Sequence, residues 1–256
     1  MGRGLTARIR QEAAAGFSAG SGAYVRGRPS YPQEAIDFLA DKLALGPGKK
    51  VLDLAAGTGK FTALLVPTGA EIVAVEPVKE MGEQLRSAVA GVDVLEGTAE
   101  TIPLPDASVD AVTVAQAFHW FEADAALREI ARVLRSGGGL AMLWNRRDEA
   151  TAWVARMNEL IRWREFRFGQ YDQVDWAEVV ASTGLYTPLQ EATFRYEQVL
   201  DRAGLEDRLR SVSYIASKPE KEREEVVALG MAAVDGMDEP FVLPYNTLVF
   251  WCSKRS

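Results

Sequence analysis

One stretch limits what this chain can fold into more than any other: Lys50–Lys60, which reads KVLDLAAGTGK. The run VLDL is typical of a short buried strand, because it is mostly apolar and follows a turn-forming Gly-Pro-Gly at 46–48. The small residues AAGTG then allow a sharp turn, and the apolar spacing of 60–66 predicts a helix. A strand, a small-residue turn and a helix together predict a site for a nucleotide-type ligand at the carboxyl end of the strand.

The residues around the turn separate three classes of ligand. A phosphate-binding P-loop needs Ser or Thr after its lysine, whereas Lys60 is followed by Phe61. A dinucleotide fingerprint needs a third Gly or Ala three residues after Gly59, where this chain has Thr62, and Asp53 would lie close to a pyrophosphate. A cationic ligand without phosphates would be attracted by that carboxylate. The pattern therefore favours S-adenosylmethionine, which carries an ammonium and a sulfonium.

Predicted helices and strands alternate from residue 33 to residue 145, and after Asn145 the pattern changes to helices followed by further strands. We expect strands at 51–54, 72–75, 92–95, 109–115, 139–144, 191–200 and 241–251, and helices at 33–45, 59–66, 79–90, 124–134, 151–168, 176–183, 205–216 and 219–234. Such alternation with apolar strands predicts a doubly wound α/β fold, with a mostly parallel seven-stranded sheet covered on both faces. Because parallel strands end at one edge, the residues that follow them should converge there.

Five motifs in order resemble those of class I S-adenosylmethionine-dependent methyltransferases. They are VLDLAAGTG, VAVEP (73–77), EGTAE (96–100), AQAFHWF (115–121) and REIARVLRSGGGLAMLWN (128–145). FHWF, together with RGRPSYP at 26–32, looks most like the branch of trans-aconitate-type and related small-molecule methyltransferases. The resemblance implies a Rossmann-like fold, an antiparallel last strand, S-adenosyl-L-methionine as cofactor and methyl transfer to a small molecule.

The resemblance also assigns the cofactor contacts. Glu76 ends the second strand, where its carboxylate can accept hydrogen bonds from two ribose hydroxyls. Two positions depart from the family pattern: Ala55 replaces a glycine, and Thr98 stands where an aspartate usually receives the adenine amino group. The predicted cofactor-binding residues are Asp53, Ala55, Gly57, Gly59, Glu76, Pro77, Met81, Thr98, Ala99, Glu100 and Gln116.

His119 is the only histidine in the chain and follows the fourth predicted strand, where methyl group and acceptor should meet. A neutral imidazole can take a proton from a hydroxyl, so His119 is the candidate catalytic residue; the alternative is that it only lines the pocket. Aromatic and arginine side chains nearby suit an acceptor with an apolar body or a carboxylate. The predicted acceptor-binding residues are Tyr24, Arg28, Tyr31, Trp120, Trp144, Asn145 and Arg146.

Two segments should close over the sheet edge and select the acceptor. Residues 1–32 are predicted to form an N-terminal arm and flap, ahead of a methyltransferase domain at 33–256. Within that domain, 147–189 is predicted to be a helical insertion. Its helix carries Trp153, Met157 and Trp163 at helical spacing, and we expect it to pack one face on the domain and offer the other to the pocket as a lid.

Composition and motifs exclude some functions and leave others open. The net charge of −7 argues against a nucleic-acid surface, and the single cysteine fits a reducing compartment, so we expect a cytoplasmic protein. No metal site, nucleic-acid partner or membrane partner is predicted, and the chain should be a monomer or homodimer. We expect methylation of an oxygen, or less favourably a nitrogen, of the acceptor. The motifs indicate cofactor binding rather than the reaction itself, so the protein could instead be an isomerase, a cyclase or a non-catalytic binding protein.

Overall fold

The computed structural model describes residues 27–165 and 174–256 of the 256-residue chain. Those residues separate into two compact units. We call residues 31–145, 174–194 and 247–256 the α/β unit, and residues 27–30, 146–165 and 195–246 the helical unit. Tyr24, predicted to bind the acceptor, lies outside the described residues, as do the rest of 1–26 in the predicted arm and flap and 166–173 of the predicted lid.

Seven strands form one mixed sheet in the order β3-β2-β1-β4-β5-β7-β6. The pairs β1–β2, β2–β3, β1–β4 and β4–β5 are parallel, and the last strands are antiparallel. This confirms the predicted fold class. The strands are β1 Lys50–Leu54, β2 Glu71–Glu76, β3 Asp93–Glu96, β4 Val109–Ala115, β5 Leu134–Arg147, β6 Gln190–Leu200 and β7 Phe241–Ser253.

Nine α-helices connect or flank these strands in the described part of the chain. They are α1 Gln33–Lys42, α2 Thr62–Leu65, α3 Lys79–Ala88, α4 Ala123–Val133, α5 Ala152–Leu160, α6 Trp176–Ser182, α7 Arg202–Arg210, α8 Ser213–Ala216 and α9 Glu220–Met231. Short 3-10 turns occur at Val66–Thr68, Phe118–Trp120, Trp163–Glu165 and Ala232–Val234. No helix among the described residues is long and apolar enough to cross a membrane.

Strand β1 is central to the α/β unit. Four of its five residues are buried, as a strand with parallel neighbours on both sides requires. Its register pairs Asp53 with Ala74 of β2 and with Thr113 of β4, so three strands reach their carboxyl ends together. One face of this sheet packs against α1 through buried apolar side chains that include Ile36, Leu39, Val51, Leu65, Ala141 and Val249.

Some elements differ from the sequence-based boundaries for local reasons. The helix predicted at 59–66 begins only at Thr62, because Gly59 has φ +85°, and it tightens to a 3-10 turn at Val66–Thr68, which contains a proline. The helix predicted at 205–216 is two helices, α7 and α8. Asp201 caps α7 by accepting a hydrogen bond from the Gly204 amide.

The helical unit has its own apolar core, built from α5, α7, α8, α9 and the adjoining ends of β6 and β7. Its buried members include Met157, Ile161, Leu205, Leu209, Ile215, Val227, Phe241 and Tyr245. The segment predicted as one insertion, 147–189, is divided between the units: α5 belongs to the helical unit and α6 to the α/β unit.

Candidate cofactor and acceptor site

The turn after β1 has a left-handed backbone at three of its residues. Ala55 has φ +57°, Gly57 φ +59° and Gly59 φ +85°. The amides of Ala55 and Ala56 both donate to the Val75 carbonyl, at 2.8 and 3.2 Å, which ties the turn to β2. An alanine is seldom found in this conformation, so the turn holds Ala55 in a strained backbone.

Gly57 and Gly59 serve different purposes. A Cβ built on Gly57 would meet no atom within 4 Å, so open space lies in front of the turn. A Cβ on Gly59 would lie 2.8 Å from Leu85 Cγ and 3.1 Å from Val89 Cγ2. Gly59 therefore allows α3 to pack closely, while Gly57 leaves room for a ligand.

Asp53 lies beneath the turn and is only 1% exposed. Its Oδ2 accepts a hydrogen bond from the Thr62 hydroxyl at 2.6 Å, and its Oδ1 accepts one from the Thr113 hydroxyl at 3.1 Å. Burial raises the pKa of Asp53 to about 7; the two hydroxyls act against that rise, and the nearby Glu76 carboxylate adds to it. Asp53 thus joins β1, β4 and the start of α2, and its contact with the cofactor stays a prediction.

Glu76 links the end of β2 to the same turn. Its Oε2 accepts from the Gly57 amide at 2.8 Å and its Oε1 from the Val78 amide at 2.9 Å. The side chain is 5% exposed, and burial raises the pKa of its carboxyl above the usual value. Each carboxylate oxygen has two lone pairs, so these amide bonds leave acceptor capacity for ribose hydroxyls.

Other predicted cofactor residues lie at the ends of β2, β3 and β4 or on α3. Met81 and Ala99 are buried, at 5% and 4% exposure, and Pro77 is exposed. Thr98 and Thr101 form an isolated antiparallel β-bridge through their backbones, and the Glu100 carboxylate accepts a hydrogen bond from the Glu122 amide at 3.0 Å. Gln116 has φ +59° and donates through Nε2 to the Asn145 carbonyl at 3.4 Å. Their contacts with a ligand stay predictions.

His119 meets Trp144 directly. The Trp144 indole nitrogen donates to His119 Nδ1 at 3.2 Å, and the Trp120 ring lies 4.8 Å from the His119 ring, centroid to centroid. Trp144 is 1% exposed and stacks on Trp176 at 5.3 Å with an interplanar angle of 15°. The sequence could not pair His119 with Trp144, because their contact depends on the β4–β5 register.

The remaining predicted acceptor residues belong partly to the α/β unit and partly to the helical unit, and their contact with an acceptor stays a prediction. Tyr31 is buried in the α/β unit, edge-on to Phe61 at 5.0 Å. Asn145 is also buried there and accepts from the Thr247 hydroxyl at 2.6 Å. Arg28 belongs to the helical unit, where its Nη2 donates to the Ser211 carbonyl at 2.9 Å.

Arg146 begins the second described part of the helical unit and is half-buried. Its neighbour Arg147 lies over the Trp163 ring, with the guanidinium carbon 4.4 Å from the ring centroid. Such a cation–π contact fixes the direction of the guanidinium. Only Arg146 of the pair is among the predicted acceptor residues, and the contact of Arg147 with Trp163 could not be read from the sequence, because it depends on how the helical unit folds.

The residues of the α/β unit fit S-adenosylmethionine. The space in front of Gly57 admits a ligand close to the backbone. The carboxylates of Asp53 and Glu76 favour a cationic group over a phosphate there, because like charges repel. The sheet order and this turn together define a Rossmann-like, class I methyltransferase fold.

Comparisons with known proteins agree with that class. A family model described as a methyltransferase domain matches residues 52–142. An uncharacterised methyltransferase-like protein of Schizosaccharomyces pombe is 33% identical over 239 residues, 91% of this chain and 93% of that protein. The solved structure of the YcgJ protein from Bacillus subtilis superposes with a TM-score of 0.58 at 21% identity, covering 88% of this chain and 100% of that one. The chain belongs to the methyltransferase family.

A more similar relative matches over a shorter length. An uncharacterised methyltransferase of Mycobacterium tuberculosis is 52% identical over 152 residues, which are 59% of this chain. The match spans 61% of that relative's length, less than two thirds. Similarity is therefore concentrated in part of the chain.

Proposed function

We propose that the protein transfers a methyl group from S-adenosyl-L-methionine to an oxygen, or less favourably a nitrogen, of a small-molecule acceptor. Family membership supports methyl transfer in general. The observation that carries the proposal is the turn after β1, with open space at Gly57 and the Glu76 carboxylate fixed beside it by two amides. Such a site binds a nucleoside through its ribose and leaves room for a cationic chain.

The chain's own residues would act mainly by positioning. The cofactor supplies a methyl group already activated by the sulfonium, so alignment and exclusion of water provide most of the rate. Glu76 would hold the ribose, the turn at 55–59 the amino acid end, and Met81 and Ala99 the adenine. His119 and Trp120 would face the acceptor where it meets the methyl group.

Acceptor choice is proposed to lie in two segments, Tyr24–Pro32 and Arg146–Gly169, whose arginines suit the carboxylates of a trans-aconitate-type acceptor. Arg28→Ala and Arg146→Ala should then lower kcat/KM for the preferred acceptor at least tenfold and leave the Kd for S-adenosylhomocysteine within twofold. Steady-state kinetics and calorimetry on the same preparations check this. Equal weakening of the cofactor would move Arg28 or Arg146 to the cofactor site.

Fold alone does not decide the chemistry, because one fold hosts many reactions. The deciding experiment incubates the protein with methyl-deuterated cofactor and a panel of small acids, phenols and amines, followed by mass spectrometry. A labelled product supports methyl transfer, and its fragmentation identifies the acceptor atom. An unlabelled rearranged product would instead show an isomerase or cyclase, and no change would favour a binding protein.

We also expect the protein to be cytoplasmic and to be a monomer or a homodimer.

A further inference from the structure

The hydrogen bond between Trp144 and His119 determines what the imidazole can do. An indole nitrogen has a hydrogen and no available lone pair, so it can only donate. His119 Nδ1, 3.2 Å away, must therefore be the acceptor and carry no proton. A neutral imidazole has one N–H, which then lies on Nε2. Any acceptor oxygen that reaches Nε2 meets a donor.

The core of the α/β unit holds this donor in place. Trp144 lies on β5, is 1% exposed, stacks on Trp176 of α6 and meets Phe250 of β7 edge-on at 5.7 Å. Phe118, one residue before His119, is also 1% exposed and packs edge-on against Trp176 at 5.4 Å. The Trp144 ring cannot turn without disrupting this buried packing. Phe118 holds the backbone beside His119 against the same Trp176 indole, and the half-buried imidazole is oriented by its hydrogen bond to Trp144.

We propose that Trp144 fixes His119 as a hydrogen-bond donor rather than a general base, and that the acceptor is therefore an anion that already carries its nucleophilic oxygen, such as a carboxylate. This deepens the proposed function and rests on it. A base on Nε2 would need the lone pair that the Nε2 proton occupies. A neutral hydroxyl would thus find no group at His119 to take its proton.

The reaction balances without a proton transfer. A lone pair of the carboxylate oxygen forms the new oxygen–carbon bond to the methyl group, while the sulfur–methyl bond breaks and its electron pair stays on sulfur. The acceptor loses its negative charge and the sulfonium its positive charge, giving a methyl ester and a neutral thioether. The Nε2–H of His119 would hold one carboxylate oxygen, leaving the other to attack.

The tautomer can be measured directly, because His119 is the only histidine in the chain. A long-range ¹H–¹⁵N correlation spectrum of ¹⁵N-labelled protein, without a histidine tag and saturated with S-adenosylhomocysteine, should show one imidazole with its proton on Nε2. In Trp144→Phe the two tautomers should interconvert and the two ¹⁵N shifts approach each other. Trp153→Phe, in the helical unit, removes an indole elsewhere and should leave the pattern unchanged. A wild-type proton on Nδ1 would overturn the proposal, and this arm does not require Trp144→Phe to fold.

The acceptor class is tested with a carboxylic acid and the matched primary alcohol. Methyl ester without methyl ether supports the proposal. His119→Gln, which keeps an N–H donor, should retain kcat/KM within tenfold, whereas His119→Ala should lose at least thirtyfold. Ether formation that disappears in His119→Gln would show a base and overturn the proposal. An Nε2-protonated ring with no labelled product from any acceptor would overturn the proposed function while leaving the tautomer assignment standing.

Discussion

The two units bury polar side chains in opposite ways. In the α/β unit, Asp53 and Glu76 lie at strand ends and bind the hydroxyls and amides of a turn that faces open space. In the helical unit, Arg208, Tyr245 and Gln198 bind one another in the core: Arg208 Nε donates to the Tyr245 hydroxyl at 2.9 Å, which donates to Gln198 at 3.1 Å. The carboxylates of the first set support a turn beside a space that a ligand could occupy, whereas the polar groups of the second set form hydrogen bonds with one another.

This difference separates binding from stability. Two buried carboxylates beside each other raise the free energy of the folded protein, which a site can tolerate if a cationic ligand is bound there. A closed network has no such purpose, and breaking it leaves buried groups unpaired. Changes in the first set should therefore alter ligand affinity and pH dependence, and changes in the second should alter only the free energy of unfolding.

The largest effect is expected at Gly57. Gly57→Leu should weaken S-adenosylhomocysteine binding at least a thousandfold, because the side chain would fill the space in front of the turn. The matched control is Gly91→Leu, an exposed left-handed glycine (φ +76°) that also has no atom within 4 Å of a built Cβ. Both variants carry the same backbone strain, about 1 kcal/mol. Equal affinity in the two variants, measured by calorimetry, would place the ligand elsewhere.

The next effect concerns pH. The pKa of Asp53 rises from 3.8 to about 7 on folding, so the folded protein holds this proton more tightly, and the stability it contributes is lost as pH rises from about 4 to 7. Relative to Asp53→Asn, the wild-type free energy of unfolding should fall by on the order of 3 kcal/mol over that interval. Urea unfolding at several pH values measures it, with Asp37→Asn on the surface of α1 as control. Parallel pH curves for wild type and Asp53→Asn would contradict the burial argument.

A smaller change is expected from the closed network. Tyr245→Phe removes the hydroxyl shared by Arg208 and Gln198 and should destabilise the protein by about 2 kcal/mol, because two buried polar groups lose a partner. Binding of S-adenosylhomocysteine should stay within twofold at a temperature where the variant is folded. A tenfold loss of affinity would show that this network serves the ligand site as well.

The smallest predicted effect is at Asp53 itself. Asp53→Ala should weaken S-adenosylhomocysteine binding about tenfold, roughly 1.4 kcal/mol. The reason is that β1, directly before the turn, loses the carboxylate that accepts hydrogen bonds from Thr62 and Thr113. Asp110→Ala is the control: that carboxylate lies near the start of β4 and binds the Lys50 amide at 2.9 Å, at the opposite end of the strands. Identical affinities for the two variants would remove Asp53 from the cofactor site.

The sequence predicted the elements of the α/β unit better than it predicted their long-range contacts or the helical unit. Strand β4 has the predicted bounds, 109–115, because a mostly apolar, β-branched run bounded by polar residues and turn signals admits few alternatives. The partners of Asp53 could not be predicted equally well: Thr113 lies inside an apolar strand sixty residues away and faces Asp53 only through the β1–β4 register. Trp176 lies on α6, outside the motifs, so no local sequence signal indicated that it stacks on Trp144. The helical unit comes from separate segments, which no single periodic pattern joins.

The central claim is that the α/β unit binds S-adenosylmethionine at the carboxyl ends of its parallel strands. Calorimetric titration of the wild-type protein with S-adenosylhomocysteine tests it most directly, since binding requires no knowledge of the acceptor. The account predicts one site per chain with a Kd in the micromolar range, and competition by S-adenosylmethionine. Folded wild-type protein that releases no heat and shows no thermal stabilisation with either compound would contradict it.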